Sequence, residues 1–221
     1  MIVLPPADLA QAFRYMGQHA APDAALLETA RRCEEKLAAA CVPRYIYKVL
    51  PVTDTGRGIC VERTALVLPG EDIRQHLAGC DRVVLLCVTL SVGADTAIRQ
   101  AQARDVLEGL ATDAIASALT EQVCDAAEAE ILGSLPGVYA TWRFSPGYGD
   151  LPLSVQGTML AELCAGKHLG VTLSEAGMLI PTKSVTAVIG LSPKPVPKGK
   201  RGCAVCNMQA RCSYRRKGEH C

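Results

Sequence analysis

Residues 83–90 (VVLLCVTL) are the longest apolar stretch of the chain and constrain its fold more than any other segment. An apolar stretch without alternation is typical of a strand that is covered on both faces, so a central strand is predicted over 82–90. The stretch is far shorter than the roughly 20 residues that a helix needs to cross a bilayer. We therefore expect a globular protein without a membrane partner.

The rest of the chain mixes two hydrophobic periods. Apolar residues at helical spacing predict helices over 8–19, 23–41, 72–78, 93–104, 107–132 and 154–164. Alternating or continuous apolar segments predict further strands over 45–50, 59–68, 138–143, 177–180 and 184–191. Because helices and strands do not alternate regularly, the predicted class is α+β, with a mainly antiparallel twisted sheet and flanking helices.

Two of these elements carry specific predictions. A turn at residues 54–56 separates the strands over 45–50 and 59–68. The long helix over 107–132 is expected to bury one stripe, formed by Leu107, Leu110, Ala111, Ala114, Ile115, Leu119, Val123 and Ala127.

The composition changes abruptly near the end of the chain. Prolines alternate at positions 193, 195 and 197, which favours an extended, semi-rigid spacer over 192–202. The chain is therefore divided into a body (1–191), this linker, and a small cysteine-rich tail (203–221).

The charge follows the same division. From Lys194 onward there are eight basic residues and one acid, Glu219, which leaves 15 of the 23 basic and 21 of the 22 acidic residues in the body. The basic end is either a solvated surface or a docking patch for an acidic partner. Nucleic acid is not an expected partner, because the patch is short and has one aromatic residue, Tyr214.

The N-terminal sequence predicts the compartment, and the compartment predicts the state of the cysteines in the body. Residues 1–10 (MIVLPPADLA) lack the basic start of a secretory signal, so a cytoplasmic location is expected. In that compartment the seven cysteines of the body are expected to be reduced residues of the core: Cys33, Cys41, Cys60, Cys80, Cys87, Cys124 and Cys164.

The tail cysteines have ligand spacing instead. Cys203, Cys206, Cys212 and Cys221 form the pattern C-x2-C-x5-C-x8-C, which supplies enough thiolates for zinc or for a [4Fe-4S] cluster. Zinc ribbons usually have two C-x-x-C pairs and this tail has one, which favours the cluster and leaves zinc as the alternative. His220 is a possible substitute for Cys221 as a ligand.

Residues 143–152 (RFSPGYGDLP) form the candidate ligand loop. Pro146, Gly147 and Gly149 force an irregular backbone, Arg143 offers a forked cation, and Tyr148 an aromatic face. Asp150 adds a carboxylate. The alternative from composition alone is an ordinary Pro/Gly turn. A P-loop, a nucleophile elbow, an H-E-x-x-H site and a dinucleotide fingerprint are absent from the sequence. His76 is predicted to lie on a surface helix without a chemical role.

The loop resembles a known family. Arg143, Pro146, Gly147, Tyr148 and Pro152 match the Arg-x-x-Pro-Gly-Tyr loop of the activation domain of cobalamin-dependent methionine synthase. Residues 167–185 (KHLGVTLSEAGMLIPTKSV) are similar to a second block of that domain. The resemblance covers about 107–191 and is strongest to short, stand-alone relatives with a Ser-Pro-Gly-Tyr-Gly-Asp loop.

The resemblance implies that S-adenosylmethionine (AdoMet) is bound. Arg143 would hold the methionine carboxylate, the backbone from Ser145 through Pro146 to Gly147 and the ring of Tyr148 would frame the ligand, and Asp113 would favour its cationic end. The family's late tyrosine contact has no counterpart, and residues 1–100 carry no assignable match.

The resemblance also implies a partner. The chain has no Asp-x-His-x-x-Gly cobalamin signature, so cobalamin is expected only through a separate corrinoid-binding methyltransferase, expected to be a methionine synthase. The chain would be its accessory component and support reductive methylation of oxidised cobalt, with electrons from a low-potential donor. The alternative function is a non-catalytic, zinc-stapled scaffold that recruits a corrinoid protein.

Overall fold

The computed structural model describes residues 2–18 and 20–196. The helices are α1 (Leu9–Tyr15), α2 (Ala24–Ala40), α3 (Glu71–His76), α4 (Val92–Arg104), α5 (Val106–Gly133), α6 (Val155–Leu163) and α7 (Ala165–Leu169). The strands are β1 (Arg44–Asp54), β2 (Ile59–Val61), β3 (Val67–Leu68), β4 (Arg82–Thr89), β5 (Tyr139–Ala140), β6 (Thr172–Leu173), β7 (Leu179–Ile180) and β8 (Ser184–Ser192).

Six strands form one sheet in the order β3-β2-β1-β4-β8-β5. The β1–β2 and β5–β8 pairs are antiparallel, with Val52 opposite Val61 and Tyr139 opposite Ser192. β4 is central and buried from Val83 to Thr89. The α+β class, the mainly antiparallel sheet and the central, covered position of β4 are therefore confirmed.

By the density of its contacts the chain divides into two compact units. The first holds Leu86–Pro136, Gln156–Thr186 and the described chain up to Lys48. The second holds Val49–Leu85, Gly137–Val155 and the described residues after Thr186. Within the part of the chain that the structure describes, no helix is both long and apolar enough to span a membrane.

The first unit is built around α5, which α1, α2 and α4 all contact. Asp105 separates α4 from α5: its extended backbone ends α4, and its carboxylate accepts the Glu108 N–H at 2.9 Å as the N-cap of α5. The Glu108 carboxylate then pairs with Arg32 (3.4 Å) and Lys36 (3.3 Å) on α2. The start of α5 is thus tied to a second helix.

The buried face of α5 differs from the predicted stripe at its first turn. Ala111, Ala114, Ile115, Leu119, Val123 and Ala127 are buried as predicted. Leu107 and Leu110 are 44% and 48% exposed, so their assignment to the stripe was wrong. The reason is that small residues take the packing positions there: a Cβ on Gly109 would lie 2.7 Å from Gln102 Cγ of α4, so the helices meet at Gly109.

The second unit corrects two strand predictions. The predicted strand over 59–68 is two short strands, β2 and β3, because Arg63 has a φ of +63° and the Thr64 hydroxyl donates to the Val61 carbonyl (2.8 Å). The predicted strand over 138–143 is a regular strand only at Tyr139–Ala140, and Phe144 adds an isolated bridge to Val188. The turn at 54–56 is confirmed by a 2.8 Å bond from the Gly56 N–H to the Asp54 carboxylate.

The sequence did not predict α7 or β6, and the strand predicted over 177–180 is confirmed only at β7 (Leu179–Ile180). Cys164, with a left-handed φ of +50°, separates α6 from α7, and Gly170 ends α7. The small β6–β7 hairpin pairs Thr172 with Ile180. β6 has two residues, too few for a hydrophobic period to be recognised in the sequence.

The body cysteines are only partly as expected. None of the seven forms a disulfide with another described residue. Cys33, Cys41, Cys87 and Cys124 are buried, but Cys60 and Cys80 are half-buried and Cys164 is exposed. Placing Cys164 in the core was therefore wrong, because it occupies the joint between two helices rather than a packed face.

Candidate functional site

The candidate loop begins at the edge of the sheet. The Phe144 N–H donates to the Val188 carbonyl at 2.9 Å and the Val188 N–H returns the bond at 2.8 Å. The Thr141 N–H likewise donates to the Gly190 carbonyl at 2.9 Å. Arg143 therefore lies in a short segment in which both Thr141 and Phe144 are hydrogen-bonded to β8.

Three backbone hydrogen bonds close the loop on itself. The N–H groups of Gly147, Tyr148 and Leu151 donate to the carbonyls of Leu151 (2.8 Å), Ser145 (3.0 Å) and Tyr148 (3.0 Å), respectively. Gly147 and Gly149 have φ of +93° and +52°, where other residues are strained. The N–H groups of Gly147, Tyr148 and Leu151 are therefore engaged within the loop.

The residues of the loop differ in their exposure to solvent. Pro146 is buried and Ser145 is half-buried, whereas Gly147 is exposed and Tyr148 is 52% exposed. The Tyr148 ring contacts the buried Phe144 ring edge-on at 6.0 Å between centroids. Arg143 is half-buried. Arg143, Ser145, Pro146, Gly147 and Tyr148 thus belong to one continuous, folded loop of the second unit.

Asp150 has a structural partner that sequence reasoning missed. Its carboxylate accepts the backbone N–H groups of Glu71 (2.6 Å) and Asp72 (3.1 Å), the first residues of α3. Gly70, which precedes α3, has no side chain to cap that helix. Asp150 performs the capping from the loop, so the carboxylate offered to a ligand in the sequence interpretation is engaged with α3.

His76 is also placed differently from its prediction. It is half-buried at the end of α3, where its Nε2 lies 2.9 Å from the Trp142 carbonyl oxygen. Its ring contacts Trp142 at 4.5 Å and Phe144 at 5.0 Å between centroids. The predicted surface position was wrong, because helical spacing alone does not indicate what the C-terminal end of a short helix packs against; the absence of a chemical role stays a prediction.

Asp113 lies in the first unit, on α5, and has a basic partner. Its Oδ1 is 2.9 Å from Lys183 Nζ, which also donates to Ser117 Oγ at 2.9 Å. The Lys183 side chain is 13% exposed and that of Asp113 is 48% exposed. Lys183 belongs to the second sequence block of the resemblance, and sequence reasoning assigned it no role. In the sequence, Lys183 could be noticed as a basic residue directly before the predicted strand over 184–191.

The predicted metal ligands Cys203, Cys206, Cys212 and Cys221, and His220, lie outside the described residues. Within residues 2–18 and 20–196, no group of three or more His, Cys, Asp or Glu side chains is arranged to hold a metal ion.

Comparisons with known proteins bear on the fold. No protein-family model matches the chain, and no curated protein matches it in sequence. Among solved structures, the crystal structure of the MetH reactivation domain bound to AdoHcy is similar, with a TM-score of 0.64 over 96% of this chain and 82% of that one. The chain has the reactivation-domain fold.

The reactivation-domain fold extends further than the sequence resemblance did. The sequence blocks lie between residues 107 and 191, whereas the structural likeness covers 96% of the chain and therefore includes much of residues 1–100. Sequence identity with that domain is 18%. The N-terminal helices and strands therefore belong to the same fold as the loop, although their sequence carried no detectable match.

Proposed function

We propose that the chain binds AdoMet and serves as the reactivation partner of a separate corrinoid-dependent methyltransferase. The observation that carries the proposal is a closed Arg-x-x-Pro-Gly-Tyr loop within a chain of the reactivation-domain fold. The MetH domain of that fold was crystallised with AdoHcy, the product that AdoMet becomes after losing its methyl group.

In this proposal the loop residues hold and orient the ligand. The Arg143 guanidinium binds the methionine carboxylate through two parallel hydrogen bonds. The Ser145, Pro146 and Gly147 backbone and the Tyr148 ring contact the nucleoside. The protein contributes position, since a sulfonium methyl held in line with its acceptor reacts as if the step were intramolecular.

The role proposed for Asp113 is limited by its ion pair with Lys183. Its carboxylate would favour the cationic end of AdoMet, but Lys183 already neutralises part of its charge. We therefore expect Asp113 to contribute less to affinity than Arg143.

The reaction served is a reductive methylation. The partner's corrinoid, when reduced by a low-potential donor, would accept the methyl group of AdoMet, and AdoHcy would be released. The loop residues of this chain would hold AdoMet with its methyl group directed towards that acceptor.

The cysteine tail would serve the electron step. Cys203, Cys206, Cys212 and Cys221 would bind a [4Fe-4S] cluster, with zinc as the alternative, and the Pro-rich linker would carry it. Anaerobic purification followed by iron, sulfide and zinc analysis tests this. About four irons and four sulfides per chain are expected; one zinc without iron would remove the electron-transfer role.

Calorimetry with AdoMet and AdoHcy tests the binding proposal. We expect the Arg143→Ala variant to bind roughly 10- to 100-fold more weakly, the loss of a charged hydrogen-bonded contact. Arg143→Lys, which keeps the charge but not the fork, is the matched control and should be intermediate. Absence of binding by the folded wild-type protein would reject AdoMet binding and favour the recruiting scaffold.

A further inference from the structure

We propose that α3 is a positioning element for the candidate ligand loop, and that Asp72 and His76 are its positioning residues. Only the predicted effect of α3 on AdoMet affinity rests on the proposed function. The contacts between α3 and the loop stand independently of it.

The first contact is a reciprocal exchange between two aspartates. The Asp150 carboxylate accepts the N–H groups of Glu71 and Asp72, and the Asp72 carboxylate accepts the Asp150 N–H at 3.1 Å. Loop and helix therefore cap each other. This fixes the C-terminal end of the loop relative to the start of α3.

At this contact α3 and the loop approach each other too closely for a side chain at Gly70 or Gly149. A Cβ on Gly70 would lie 2.3 Å from Asp150 Oδ1, and a Cβ on Gly149 would lie 2.3 Å from Asp72 Oδ2. Both positions also have positive φ, +119° and +52°. The exchange thus depends on a glycine on each side.

The second contact fixes the N-terminal end of the loop. His76 Nε2 lies 2.9 Å from the Trp142 carbonyl oxygen. Because a carbonyl only accepts, Nε2 must carry the proton and donate it. The same imidazole packs on the rings of Trp142 and Phe144, the residues on either side of Arg143.

α3 is itself anchored and can therefore serve as a support. Ile73 is fully buried, and the Arg74 guanidinium bridges Asp54 at the end of β1 (3.0 Å) and Glu71 (2.7 Å). The loop residues between Trp142 and Asp150 are thus held at both ends by one fixed helix.

The consequence is that Arg143, Gly147 and Tyr148 are placed before any ligand arrives. A loop that is ordered in advance does not lose its conformational freedom on binding, so it binds more tightly than a loop that must be ordered. Residues on α3 should therefore affect ligand affinity without contacting the ligand.

Two pairs of variants separate positioning from general folding. Asp72→Ala removes the acceptor for the Asp150 N–H, whereas Asp72→Asn keeps an amide oxygen there. His76→Phe keeps the ring packing and loses the donor, whereas His76→Gln loses the ring and keeps an N–H donor. Gln75→Ala is the control: it is an exposed change on the same helix that removes a 3.2 Å side-chain bond to Glu71 and leaves the contacts of Asp72 and His76 in place.

The first measurement is amide hydrogen exchange in the protein without ligand. We expect exchange at Gly147, Tyr148 and Leu151 to become roughly fivefold faster in Asp72→Ala and His76→Phe, the effect of about one lost hydrogen bond. Asp72→Asn and Gln75→Ala should stay near wild type, and His76→Gln should fall between. Unchanged exchange in Asp72→Ala and His76→Phe, with circular dichroism confirming the fold, overturns the positioning role.

The second measurement is AdoHcy affinity by calorimetry. We expect the dissociation constant to rise by a similar factor in Asp72→Ala and His76→Phe and to follow the exchange rates across the set. Faster exchange with unchanged affinity overturns the link to ligand binding. If the wild-type protein does not bind AdoHcy, the proposed function fails, and the exchange data alone decide whether α3 positions the loop.

Discussion

Gly149 shows how a single residue limits the loop. Its φ of +52° is unfavourable for residues with a side chain, and the place of a Cβ is taken by the Asp72 carboxylate. Conformation and close approach therefore both require glycine at this position.

We predict that Gly149→Ala destabilises the protein by about 2–4 kcal/mol, from left-handed strain of ~1–2 kcal/mol and the lost Asp72–Asp150 contact. Gly137→Ala is the matched control, because Gly137 has a φ of +73° but nothing within 4 Å of its Cβ position. Urea unfolding measures both. Equal losses in the two variants would show that the close approach to Asp72 carries no energy.

Cysteine labelling tests the assigned burial of individual thiols. Burial raises the pKa of Cys41 to about 11 and of Cys87 to about 12, so both are protonated near neutral pH. Cys164 is exposed. We predict that iodoacetamide labels Cys164 in the native protein and labels Cys41 and Cys87 only after denaturation, as read by peptide mass spectrometry. Labelling of Cys87 as fast as Cys164 would contradict the buried position of β4.

At the scale of elements, one helix contact depends on the absence of a side chain. A Cβ on Gly93, in the first turn of α4, would lie 1.9 Å from the Ala40 carbonyl oxygen at the end of α2. α4 therefore begins directly against the end of α2.

Two helical glycines are predicted to respond in opposite directions. Gly93→Ala should destabilise the protein by about 1–3 kcal/mol, because overpacking against backbone outweighs the better helix propensity of alanine. Gly157→Ala in α6 meets only Leu173 at 3.7 Å and should stabilise by up to about 1 kcal/mol. Thermal unfolding measures both, and a stabilising Gly93→Ala would refute the close contact of α2 and α4.

The link between α3 and β1 has a predicted pH dependence. Hydrogen bonds from Arg74, and then from the Gly56 N–H, lower the pKa of Asp54. A carboxyl with a lowered folded pKa stabilises above its unfolded pKa of about 3.9, and this contribution is lost as the pH falls through the folded value.

We therefore expect Asp54→Asn to be less stable than wild type at neutral pH and the difference to shrink on acidification below about pH 4. High salt should shrink it as well, because Asp54 and Arg74 are both partly exposed. Urea titrations at several pH values measure it. A difference that is independent of pH would exclude this carboxylate as the cause.

At the scale of the whole molecule, long periodic segments made the fold class predictable. β4 and α5 each present a pattern long enough to recognise. The predicted start of α2 near residue 23 is confirmed, since Asp23 is its N-cap and accepts the Leu26 N–H at 2.8 Å. The errors occur where packing overrides the local pattern, as at Leu107, and where a positive φ interrupts it, as at Arg63 and Cys164.

The candidate site was predictable only in part, for the same reason. The Arg-x-x-Pro-Gly-Tyr pattern located the loop, since its residues are adjacent in sequence. The roles of Asp72, His76 and Lys183 depend on partners 66 to 78 residues away, namely Trp142, Asp150 and Ser117. Lys183 could be noticed in the sequence as a basic residue before the last strand, but a single sequence does not indicate which residues pair at such separations.

Titration of AdoHcy into the 15N-labelled protein, followed by amide and indole chemical shifts, tests the central claim most directly. Trp142 is the only tryptophan of the chain, so its indole signal is a unique marker beside Arg143. We predict saturable shifts at the Trp142 indole and at the Gly147 and Tyr148 amides, and their loss in Arg143→Ala. Saturable shifts confined to residues away from 143–150, or no shifts at all, would contradict the assignment of this loop as the AdoMet site.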